Sequence, residues 1–194
     1  MSNGSHSYDV VVVGSSNLDL VATVGRLPAP GETILGTRFA EFPGGKGLNQ
    51  AVASRRSGAD TAFITCLGTD NAGDTLHRLM IQEGIAAYVT DDADSTGRAL
   101  INVDAHGENS IVVVPGANAN LSLSVIEAHR DILLRSRVLL CQLEIPLASV
   151  ESALAIAKLG GAQTILNPAP ASELNRSILQ LCDVIMPNQH GYIN

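Results

Sequence analysis

Asp9-Val10-Val11-Val12-Val13-Gly14, running directly into Ser15-Ser16-Asn17-Leu18-Asp19, sets the class of the fold. The run is short, β-branched and almost without polar residues, the pattern of a strand buried on both faces in a sheet that helices cover. A single-faced strand would alternate instead. Similar runs recur at Thr61 to Leu67, Val138 to Leu143, Thr164 to Leu166 and Asp183 to Met186, with helical patterns between most of them. That alternation predicts an α/β chain with a largely parallel sheet, and the first run as a central strand.

Four helices have legible ends. Gly47 to Arg56 stops at Ser57-Gly58, a helix C-terminal signal, and a second helix has Asp70 as its cap and closes at Gly84. Ser124-Val125-Ile126-Glu127 has capping-box spacing and opens a third. Ala148 to Leu159 forms a fourth that stops at Gly160-Gly161. Two stretches break the alternation. Glu32 to Phe42 follows the turn-forming Pro28-Ala29-Pro30-Gly31 with a loose period of two and reads as a hairpin. Arg98 to Asp104 and Ser110 to Pro115 flank Ala105-His106-Gly107-Glu108-Asn109 as a second hairpin. Antiparallel strands inserted in an α/β chain predict a small lid sheet standing off the main one.

Composition narrows the function. The 194 residues carry 12 Lys plus Arg against 19 Asp plus Glu, a net charge of −7, with 45% apolar and 16% charged residues. Such a chain fills a core, with one main domain as the expectation, and is too acidic to suit nucleic acid. It has no Trp and 3% aromatics, so it lacks the stacking platforms of single-strand binders. No apolar run reaches the roughly 18 residues of a membrane span, and residues 1–7 lack the pattern of a signal peptide. No membrane contact and a cytoplasmic location are therefore expected. Cys66, Cys141 and Cys182 sit in or beside apolar runs and read as buried free thiols. The five histidines share no metal-ligand spacing with one another or with the cysteines.

Five segments fall at strand ends, where open α/β sheets bind ligands. In the first, Gly14 to Asp19, an amide and a carboxylate at Asn17 and Asp19 pair donor and acceptor capacity for adjacent hydroxyls. The second is Pro43-Gly44-Gly45-Lys46-Gly47-Leu48-Asn49-Gln50, where three glycines and a helix N-terminus let backbone approach an oxygen-rich or anionic ligand. It fits neither the dinucleotide fingerprint nor the P-loop, because Lys46 is followed by Gly47 and Ala40 stands where the P-loop needs glycine. The third, Gln142-Leu143-Glu144-Ile145-Pro146, puts an acid where burial is costly unless the acid is used. Asn167-Pro168-Ala169-Pro170-Ala171 and Pro187-Asn188 complete the set. Taken singly the last three read as turns; together the segments converge on one edge of one sheet.

In this order, G-S-S-N-L-D, P-A-P-G-E-T, G-G-K-G-L-N, S-T-G-R-A-L-I, G-E-N-S-I, G-A-N-A, Q-L-E-I-P, N-P-A-P-A and M-P-N resemble the ribokinases of the carbohydrate kinase family over nearly the whole chain to Asn188. The resemblance implies a ribokinase-like α/β sandwich: a mainly parallel sheet flanked by helices, plus a β lid, with the C-terminal part of that fold missing. It implies a tail over residues 1–8, a partial domain over 9–188 with lid strands from about 20–42 and 98–115, and a divergent tail over 189–194. It also implies that Asn17, Leu18 and Asp19 hold sugar hydroxyls, with Gly44, Gly45, Lys46, Gly47 and Asn49 completing that side. Ala99 and Ile101 would cover the sugar, Glu144 would contact it, and Asn188 would lie near the nucleotide phosphates. The family transfers the ATP γ-phosphoryl group to ribose, needs Mg²⁺, is often activated by K⁺ and commonly dimerises through its lids. Water exclusion by a lid suits that chemistry.

Two departures accompany the resemblance. The family's G-A-G-D motif, with its aspartate base and anion hole, is not in this sequence, and Gly191 stands where the family's N-x-x-E glutamate organises Mg²⁺. The chain is therefore expected to be a truncated or frameshifted product or a fragment, inactive and marginally stable, with an unpaired sheet edge. A kinase for deoxyribose or a nucleoside is one alternative. A non-catalytic module that binds sugar or pairs through its lid is another. A nicotinamide oxidoreductase is disfavoured by the failed fingerprint.

Overall fold

The computed structural model describes residues 7–187. Its first strand, β1 (Tyr8–Val13), pairs in parallel with β4 (Thr61–Gly68) on one side and β8 (Ser136–Cys141) on the other, so the valine run is central as expected. With β5 (Ala86–Asp92), β9 (Gln163–Leu166) and β10 (Val184–Ile185) these form a six-stranded sheet in the order β10-β9-β8-β1-β4-β5, every pairing parallel. The run lacks alternation because its side chains serve two cores. Val11 and Val13 join Ile64, Leu139 and Leu154 on one face, while Val12 joins Phe63, Leu48, Leu76 and Met80 on the other.

Helices α1 (Lys46–Arg56) and α2 (Asn71–Gln82) supply the second of these cores. The first is covered by α3 (Leu123–Ala128), α4 (Arg130–Leu134), α5 (Leu147–Leu159) and α6 (Arg176–Leu181). Asp70 caps α2 by accepting from Gly73 N at 2.9 Å, and α5 ends at Gly160, both as read from the sequence. The capping box at Ser124 does not form. Ser122 is the cap residue, Ser124 lies inside α3, and the two hydroxyls bond each other at 2.8 Å. Cys66 and Cys141 are buried, and burial drives both thiols upward, that of Cys66 to about 11; Cys182 is only half-buried.

The second sheet contains β2 (Asn17–Val24), β3 (Gly36–Gly44), β6 (Gly97–Val103) and β7 (Asn109–Val114) in the order β3-β2-β6-β7. The β6–β7 hairpin matches the reading of the sequence. The hairpin expected within Glu32 to Phe42 is replaced by one strand, β3, whose antiparallel partner is β2. The alternation in that stretch is real, and the turn precedes it at Pro28 to Gly31 as read: residues 25–35 form the loop, where Glu32 accepts from Arg26 and from Ala29 N. β2 also runs parallel to β6, which stitches the two hairpins together. No helix among the described residues is long and apolar enough to cross a membrane.

Candidate functional site

A cavity of about 720 Å³ lies between the inner face of the small sheet and the carboxyl edge of the large one, within the usual size for a small-molecule site. Its position follows from chain continuity: β1 ends at Val13 and β2 begins at Asn17, so the lid springs from the carboxyl end of the central strand. Segments following β8 and β9, the N-terminus of α1 and a 3-10 turn at Gly116–Asn120 close the remaining sides.

Of the residues singled out in the sequence, Asn17, Asp19, Gly45, Lys46, Asn49, Ala99, Ile101 and Glu144 line the cavity. Leu18, Gly44 and Gly47 do not. Strand alternation turns Leu18 to the opposite face of β2 from Asn17 and Asp19. Gly44 lies beneath the Asp19 carboxylate: a Cβ there would come to 2.5 Å from Asp19 Cγ and Oδ1. Gly47 brings α1 against the backbone that follows β1, since a Cβ would sit 2.6 Å from Gly14 C and Ser15 N. These two glycines shape the site without facing it. Asn188 lies outside the described residues.

The apolar roof is a cross-strand ladder. Ala99 pairs with Val113 and Ile101 with Ile111, and all four side chains line the cavity. Opposite them, Gly45 adopts φ +91° and leads into α1, whose Lys46 and Asn49 are one turn apart on the same face. Gly45 itself offers α1 no side-chain cap. Glu144 takes that role from 98 residues away: Oε2 accepts from Lys46 N at 3.0 Å and from Ser15 Oγ at 2.6 Å, while Oε1 faces Lys46 Nζ at 3.6 Å. The acid at the end of β8 is thus already engaged, as the cost of burying it demands.

Asp19 is the opposite case. No protein hydrogen bond reaches its carboxylate among the described residues. Burial first, and then the like charge of Glu144, push its carboxyl above the ordinary range, and Lys46 only partly offsets them. An unpaired, half-buried carboxylate beside a cation and an apolar roof is suited to accepting hydrogen bonds from ligand hydroxyls. Leu143, Ile145, Pro146 and Pro170 line the cavity from two segments the sequence had marked, whereas sequence reasoning missed Pro115, Asn118, Ala119, Ile111 and Val113 as lining residues. The G-A-N-A segment marked the neighbourhood of Asn118, and alternation along β7 would have found Ile111 and Val113. No group of three or more His, Cys, Asp or Glu side chains that could hold a metal ion occurs among the described residues.

Comparison with known proteins adds three findings. The model of the pfkB family carbohydrate kinases matches residues 7–192. The ribokinase of Haemophilus influenzae is 44% identical over 182 residues, covering 93% of this chain and 60% of that protein; a deoxyribokinase of Salmonella typhi is 36% identical over 184 residues, again 93% and 60%. A solved structure of Arabidopsis thaliana ribokinase complexed with ribose and ATP superposes with a TM-score of 0.80 at 28% identity, covering 95% of this chain and 61% of that one. The chain thus spans about 60% of the length of these relatives.

Proposed function

Because the chain belongs to the pfkB family of carbohydrate kinases, we propose that it is the sugar-binding and lid half of a ribokinase-type kinase, one that phosphorylates D-ribose with ATP. The observation that carries this reading is the cavity itself. It sets an unpaired carboxylate, Asp19, beside Asn17, Lys46 and Asn49, under an apolar ladder from the lid. A pentose has hydroxyls for the polar wall and a ring face for the roof. In this proposal Asn17 and Asp19 hold vicinal hydroxyls, Lys46 and Asn49 bound the same side, and Ala99 and Ile101 cover the sugar. Glu144 contributes mainly by fixing Lys46 and the start of α1.

Phosphoryl transfer rests on positioning and charge stabilisation, and it suffers when water competes with the acceptor. The contribution of these residues is to orient the sugar and exclude water from it. The G-A-G-D segment that supplies base and anion hole in the family is not among the 194 residues, so no catalytic step is assigned to them. ATP as co-substrate, Mg²⁺ and activation by K⁺ belong to the family reading. Among the described residues no group of three or more His, Cys, Asp or Glu side chains is placed to hold a metal ion, and none of their roles is routed through one. Cytoplasmic residence is part of the same proposal. So is pairing of two lids, supported by the exposed apolar residues of β7 and by Phe39 of β3.

Isothermal titration of ribose, with light scattering on the same sample, tests the reading. Saturable binding by a dispersed protein is the expected result, and absence of binding by a well-folded sample would overturn it. The likeness to a deoxyribokinase at 36% identity favours a second reading, deoxyribose as the preferred sugar. Parallel titration with 2-deoxyribose separates the two.

A further inference from the structure

We propose that Asn118 is a positioning residue that fixes the amide of Asn17 with its nitrogen facing the cavity, so that Asn17 only donates and Asp19 only accepts. The inference builds on the sugar-site reading and adds the hydrogen-bond polarity of that site. Asn118 is fully buried and its own orientation is unambiguous. Its Oδ1 accepts from Ser16 N at 2.9 Å, a group that can only donate; its Nδ2 donates to Ser16 O at 3.1 Å, a group that can only accept. Exchanging oxygen and nitrogen in Asn118 would break both bonds.

The same Nδ2 donates to the side chain of Asn17 at 2.8 Å, and the atom it meets must be an acceptor, Oδ1. Gly97 is moulded to this bond, since a Cβ there would collide with both Asn118 Nδ2 and Asn17 Oδ1. Asn17 Nδ2 is then left over. Among the described residues it has no protein partner, yet the buried unpaired side-chain atoms are only Gln142 Oε1 and Asn167 Oδ1. Asn17 Nδ2 is therefore open to the cavity that the residue lines. An ionised Asp19 accepts only, so the ligand must present an acceptor to one residue and a donor to the other. A hydroxyl pair meets this; an ether or a fluorine satisfies Asn17 alone.

A double-mutant cycle in the full chain, with Asn118→Ala, Asn17→Ala and the pair titrated with ribose, tests the role. Asn118→Ala should weaken ribose binding roughly tenfold, the worth of one hydrogen bond, and should add nothing further in the Asn17→Ala background. An equal loss in both backgrounds, or no loss in either, would overturn it. Side-chain amide hydrogen exchange by NMR, without ligand, gives an arm independent of the sugar. Slow exchange at Asn118 with fast exchange at Asn17 supports the orientation even if ribose fails to bind, whereas protection of the Asn17 amide refutes it.

Discussion

Gly44→Ala should separate recognition from stability. Gly44 ends β3, and its φ lies outside the left-handed region, so the backbone accepts alanine. The added methyl would stand 2.5 Å from Asp19 Cγ and Oδ1, where ordinary contact begins near 3.4 Å, so the carboxylate must retreat by about 1 Å. It is the end of a side chain with no protein hydrogen bond among the described residues, and it can move. Displacing a charged acceptor from its partner forfeits about 1.5–3 kcal/mol, a tenfold to more than hundredfold loss of ribose affinity. Stability should hold or rise slightly, because alanine restricts the unfolded chain. Gly47→Ala is the control: its methyl would meet the backbone of Gly14 and Ser15 at 2.6 Å, and backbone cannot step aside. That variant should lose about 1–3 kcal/mol of stability, as overpacked sites do. Ribose titration and urea denaturation of both variants read the outcome. If Gly44→Ala binds ribose like the parent, Asp19 is not a sugar contact; if both variants unfold alike, the steric reasoning is wrong.

Other outcomes follow from charge. Asp19 has a raised carboxyl, so the folded state holds its proton more tightly than the unfolded chain, and stability falls as pH rises through the carboxylate range. Asp19→Asn should flatten that decline in denaturation curves from pH 3 to pH 7 while weakening ribose binding. Glu144→Ala strips Lys46 N and Ser15 Oγ of their acceptor and should cost about 1–3 kcal/mol in urea unfolding, with Glu144→Gln recovering part of it. Burial holds His129 below its ordinary 6.5, and its ring packs at 5.3 Å from that of Tyr88. The unfolded chain therefore takes up the proton first as pH drops through about 6.5, so stability present above that value is lost below it. His129→Phe should remove this acid-side loss; an unchanged pH profile would assign it to other groups.

The legible parts of the fold were those whose cause is local. The valine run announced two-sided burial, and Asp70 and Gly160 announced helix ends because caps depend on a few neighbouring residues. β5 escaped notice because Tyr88, Thr90, Asp91 and Asp92 interrupt its apolar pattern: an edge strand is paired on one side and half-covered. The turn at Pro28 to Gly31 was legible, but the pairing of β3 with β2 was not, because strand pairing across a loop of 11 residues leaves no short-range mark. In the site, Asn17, Asp19 and Lys46 stood out through residue type and position at strand and helix ends. Asn118 did not, since its importance lies in facing Ser16 and Asn17 from 102 and 101 residues away.

Those separations also bear on the order in which the molecule can assemble. The β2–β3 hairpin is local and can form early, but Asn118 reaches Ser16 across 102 residues and Glu144 reaches Ser15 across 129. Closing loops of that length carries an entropic cost that must be met before the contacts return anything. During synthesis the two walls of the cavity are separated by most of the chain, and the first cannot select its ligand until the second has emerged. On the sugar-site reading proposed above, recognition is a late property of folding, acquired when β8 docks beside β1 and brings Glu144 to the start of α1.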